Sequence, residues 1–203
     1  MMKFSKSRLE TFCDGVIAVI ITIMVLNIPL PDTFTLSSIT ELLKAVLIFF
    51  VSFFIVGNHW INHHIWMEHI SEVSNKLVWR TLLFLFFLAL MPIFTKWVIL
   101  HSTEVVPVLG YDIVFLLVNG SASWIWRDVA YEERYRKLGR RQETISERSI
   151  WWRWVIAVAI IGVIIVFSLF APRLSLIFFM GFPVVFSLFN LFFERPEKDE
   201  DHK

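Results

Sequence analysis

Six windows of about 20 residues run through this chain almost without charge, and that feature leaves few folds open. Hydrocarbon is about 30 Å thick, so each window matches one crossing helix. They fall at about 6–30, 40–63, 77–100, 105–126, 151–171 and 174–193. A barrel is excluded, because its strands would alternate over about ten residues and these windows do not alternate. The expected fold is therefore an all-α membrane protein of six helices, residues 1–196, with a basic loop at 127–150 and an acidic tail at 197–203. Pro172 after Ala171 makes 171–173 the turn between the last two helices.

Composition agrees: 57% of residues are hydrophobic, with Phe 21 and Trp 9, and mean hydropathy is +0.66. A net charge of +1 with 18% charged residues fits no nucleic-acid binder and no disordered polyampholyte. The single cysteine, Cys13, excludes an intramolecular disulfide, a CxxC pair and a cysteine zinc site. Asp14 and the lack of a small-residue cleavage site make the first window a retained helix, not a secretory leader.

Of the Lys and Arg, only Lys44, Lys96 and Arg173 lie at one set of helix ends, and the remainder gather at the other. The positive-inside rule then puts both termini in the cytoplasm. Trp79, Trp124, Trp126, Trp151, Trp152 and Trp154 fall at the same inner ends, where indoles suit the headgroup layer of the lipid. Glu132 with Arg136 and Glu133 with Lys137 are spaced i, i+4 in the favourable order, which predicts that the fourth helix continues inward until Gly139.

Polar side chains inside such helices cost free energy and need reasons. Gly15 to Leu30 covers only roughly 24 Å at about 1.5 Å per residue, so Asp14 is drawn into the inner leaflet and requires a partner. Arg8 points to a different face of its own helix. The second window offers His59 and His63 at i, i+4, with Asn62 and His64 beside them, at the same inner level. An Asp to His or Asn hydrogen bond between the two helices satisfies both sides. The same groups also allow a proton relay of Asp14 with His59 or His63 in a proton-coupled transporter. His-x-x-x-His-His further resembles one box of a membrane metalloenzyme, with Glu68 or Glu72 as a further zinc ligand, although six histidines are too few for a di-iron set. No nucleophile elbow, P-loop or GxGxxG occurs, so an enzyme is not expected.

Val19, Thr22, Ile23 and Leu26 recur at i, i+3, i+4 and i+7 and share one face of the first helix. In a monomer such a face is core. Around a symmetry axis it becomes a conduit, with apolar rings that close by dewetting and a ring of threonine oxygens that replaces ion hydration.

The run Arg8-Leu-Glu-Thr-Phe-Cys-Asp-Gly-Val-Ile-Ala-Val-Ile-Ile-Thr22 resembles the first-helix signature of the transmembrane-protein-175 family, lysosomal and prokaryotic potassium channels. Arg8, Phe12, Asp14, Gly15, Val16, Ala18 and Thr22 keep its register, while Cys13 stands where the family has serine. Trp60-Ile-Asn-His-His64 and Leu90-Met-Pro-Ile-Phe-Thr95 are similar as well. The resemblance implies a homotetrameric, potassium-preferring cation channel of the prokaryotic single-repeat type, needing no cofactor, with potassium as the permeant ion among monovalent cations. It implies a constriction at Val19 with further layers at Ile23 and Leu26, and a selectivity role for Thr22. Arg8, Phe12, Cys13 and Asp14 become packing and network residues, with Trp60, His63 and His64 as their partners on the second helix.

Overall fold

The computed structural model describes residues 5–70 and 73–138, together with isolated positions between 163 and 181. Side chains of 128 and 130–138 are outside that description, as is most of the fifth and sixth predicted windows, the loop beyond 138 and the acidic tail.

Four helices are long and apolar enough to cross a bilayer. They are α1 (Lys6–Leu26), α2 (Leu36–Glu68), α3 (Asn75–Leu100) and α4 (Val105–Leu138). Thr35 opens α2 by accepting the Ser38 amide at 3.3 Å, and Ser74 opens α3 by accepting the Leu77 amide at 3.2 Å. The predicted first span reached Leu30, but α1 stops at Leu26, where the Asn27 amide bonds the Met24 and Val25 carbonyls. Pro29 explains the early end, since proline disfavours helical backbone at the residue before it. The second predicted span, 40–63, proves longer at both ends: α2 has 33 residues. At about 1.5 Å each it extends roughly 50 Å, so it tilts or projects beyond the hydrocarbon. Helix α4 runs to Leu138, immediately before Gly139, although only Val105–Arg127 has the composition of a span.

The order of packing follows from which faces are apolar and small. Among the described residues α3 lies chiefly against α4, and α1 rests on α3 and α2 without touching α4. Leu9, Cys13, Ile17, Ile20 and Met24 form the buried stripe of α1, spaced by three and four residues as one helical face demands. Phe84, Leu88 and Met91 of α3 meet Val108, Tyr111, Val118 and Ile125 of α4 in the same apolar cluster. Pro92 sits inside α3 and is buried, leaving the Leu88 carbonyl without its usual helical donor.

In hydrocarbon, hydroxyls must satisfy one another. Thr95 Oγ1 donates to Ser52 Oγ at 3.3 Å, and Ser52 lies 3.5 Å from the Tyr111 hydroxyl, so one buried cluster ties α3, α2 and α4. Asp112, also buried, accepts from Ser168, a described position in the fifth window. Ala171 lies outside the helical segment 166–170 and directly before helical Pro172, the place where the sequence predicts a break.

The α3 to α4 contact is closest at Gly110. A Cβ added there would lie 2.7 Å from a Phe94 ring carbon and 3.6 Å from Trp97. Gly110→Ala is therefore expected to destabilise the fold by about 1–3 kcal/mol, through overpacking against rings that are themselves wedged. A thermal unfolding midpoint in detergent equal to wild type would show that the helices part freely at this level.

Candidate functional site

The face of α1 opposite its buried stripe holds the residues that the sequence singles out. Val19 is 55% exposed, Ile23 44% and Leu26 82%, whereas Ile17, Ile20 and Met24 on the other side are at most 3% exposed. Thr22 is exposed between them. Its hydroxyl proton is donated to the Val19 carbonyl at 2.8 Å, which leaves the oxygen lone pairs for a group outside the protomer. The protomer thus turns a stripe of branched apolar side chains and one acceptor oxygen away from its own core. Leu26 is the last helical residue, so the stripe ends where the helix does.

Toward the N-terminus the same helix carries the network residues. Arg8 is exposed, Phe12 is 50% exposed, and Cys13 is fully buried among the apolar contacts of α1. Burial of Cys13 suits a thiol, which behaves as a small hydrophobe with little need of a hydrogen-bond partner. Asp14 finds its partner on α2, and it is Trp60, one of the partners the resemblance implies, and not the histidine or asparagine that helix spacing suggests: Trp60 Nε1 donates to Asp14 Oδ1 at 2.8 Å. The reason is rotational. Trp60 lies about 100° around α2 from His59, so the indole reaches α1 while both His59 and His63 turn toward α3.

There the two imidazoles flank one ring. His59 meets Phe84 edge-on at 5.7 Å between centroids, and His63 stacks on Phe84 at 6.4 Å and 4°. His63 Nε2 has no hydrogen-bond partner among the described residues. His64 is exposed, stacks on Trp60 at 6.4 Å and lies 3.6 Å from Glu68. Trp60 Nε1 only donates, so Asp14 and the histidines are not joined through it into a proton path. Among the described residues no group of three or more His, Cys, Asp or Glu side chains is placed to hold a metal ion; Glu72 lies outside them.

Trp60→Phe removes the donor and keeps most of the ring. Its expected cost is about 1 kcal/mol, the net worth of an intramolecular hydrogen bond at a partly solvated site. The check is the unfolding midpoint of Trp60→Phe beside that of Asp14→Ala, which removes the acceptor: losses that do not add in the double variant show one shared interaction.

The sequence reading assigns no partner to several buried polar residues, Ser52, Thr95, Tyr111 and Asp112 among them. Their signal was present, since each interrupts an apolar window, and an intramembrane aspartate is the more costly interruption.

The described residues form an all-α bundle of membrane-length helices that exposes an apolar and hydroxyl face on its first helix. The comparisons agree with it. Residues 8–92 match the family model described as endosomal/lysosomal potassium channel TMEM175. A potassium channel of Chryseobacterium sp. (strain P1-3) is 39% identical over 113 residues, 56% of this chain and 59% of that protein. A potassium channel of Streptomyces collinus is 33% identical over 89 residues, 42% of this chain and 43% of that one. The matched region thus spans between two fifths and three fifths of these relatives' length. The crystal structure of a lysosomal potassium-selective channel TMEM175 homolog from Chamaesiphon minutus superposes with a TM-score of 0.69 over 90% of this chain and 96% of that one, at 22% identity. The chain has the TMEM175 fold, and the family model matches it from the start of α1 into α3.

Proposed function

We propose that this protein is a potassium-preferring cation channel, in which four copies surround an axis lined by α1. The observation that carries this reading is the outward stripe of Val19, Thr22, Ile23 and Leu26. The stripe carries an exposed hydroxyl oxygen, and a ring of such oxygens around an axis can take the place of ion hydration. Val19 forms the narrowest apolar ring, Ile23 and Leu26 add layers toward the outer side, and Thr22 biases the pore toward potassium. Conduction is passive: the rings are dry when narrow and admit water with a partly dehydrated cation when they widen. Each chain contributes six spans, the last two completing the 1–196 unit, with both termini and the basic 127–150 segment in the cytoplasm and the plasma membrane as the site of action. Arg8, Phe12 and Asp14 hold α1 in place, Asp14 through Trp60. The permeant ion is taken from the relatives, which are named potassium channels.

A potassium-gradient flux assay on reconstituted protein, paired with native mass spectrometry, tests the proposal. Passive, non-saturating cation flux from a tetramer is expected. Flux that saturates and requires a proton gradient would instead indicate a coupled transporter, and the absence of flux from an assembled protein would remove the channel reading.

A further inference from the structure

Gly15 stands four residues before Val19, so the two share the outward face of α1, one turn apart. It is exposed, and a Cβ built on it meets no atom within 4 Å. Glycine is a poor interior residue for a helix, yet among the described residues nothing lies within 4 Å of a Cβ built here, and no turn uses its freedom. On the same face one further turn back, Phe12 is 50% exposed. The stripe therefore runs from an aromatic ring, through a position with no side chain, to branched residues.

We infer that Gly15 lines a widened vestibule directly on the N-terminal side of the Val19 ring, and that its missing side chain sets the unitary conductance. This rests on the proposed conduction along α1. A cation entering an apolar constriction must carry its hydration shell up to the point of entry, and a ring without side chains supplies that room. It also bares peptide backbone, a polar surface, where side chains on either side are apolar. A side chain at this position would add a second apolar ring in series with the first and lengthen the dry segment.

The test uses full-length protein in planar bilayers. In Gly15→Cys, a positively charged methanethiosulfonate reagent applied from the N-terminal side should abolish most of the current. The wild-type chain is a matched control, because its one cysteine, Cys13, is fully buried. Gly15→Val should lower the unitary current while the subunit count by native mass spectrometry stays that of wild type. A conducting Gly15→Cys channel untouched by the reagent overturns the inference and leaves the α1 pore standing. Silence of the wild-type protein overturns both. Should valine disturb assembly, the cysteine variant decides by the same readout.

Discussion

Val19→Leu is expected to cut potassium current at least about tenfold. Val19 is 55% exposed on α1, so a larger side chain extends toward whatever the face adjoins. In the proposed tetramer, the substitution adds four methylenes at the proposed constriction. At about 0.8 kcal/mol per methylene, the dry state gains up to roughly 3 kcal/mol relative to the wetted one. A tenfold loss needs only about 1.4 kcal/mol on the barrier, so partial realisation suffices. The protomer itself should tolerate the change, with an unfolding midpoint near wild type. Unitary currents of Val19→Leu no smaller than those of wild type would contradict the placement of this residue at the constriction.

Thr22→Val should move the potassium to sodium permeability ratio toward unity. Valine matches threonine in shape but lacks the hydroxyl, so the ring keeps its width and loses its oxygens. The Thr22 hydroxyl already spends its proton on the Val19 carbonyl, which holds the oxygen in one orientation with its lone pairs outward. A fixed acceptor ring favours the cation that loses its hydration at lower cost, and potassium holds water less tightly than sodium. The readout is the bi-ionic reversal potential, which should shift toward zero with current retained. A reversal potential equal to wild type would remove Thr22 from selectivity, whatever the current.

These expectations depend on how the stripe is oriented, which was legible only in part from the sequence. Periodicity puts Val19, Thr22, Ile23 and Leu26 on one face, but a face of branched residues can be core or exterior. What separates the two is the competing stripe, Leu9, Cys13, Ile17, Ile20 and Met24, which the fold buries against α2 and α3. The two stripes are similarly apolar, so hydrophobicity alone does not rank them. The four described helices were plain from length and hydropathy, whereas helix ends were set by local chemistry, as Pro29 shortens α1 and the Thr35 cap lengthens α2. Spacing predicted a partner for Asp14 on the second helix but favoured histidine for its chemistry, while packing chose the indole that faces α1. The Ser52, Thr95 and Tyr111 cluster was unreadable as a cluster, because its members come from three helices whose relative rotation no single-helix pattern reveals.

Direct imaging of the assembled protein in lipid nanodiscs by electron cryo-microscopy is the sharpest test. A fourfold axis bordered by Val19, Thr22, Ile23 and Leu26 of every α1, with a passage running between them, is the expected result. An assembly in which that face of α1 meets acyl chains at the perimeter, or the flank of another helix with no passage beside it, would contradict the account.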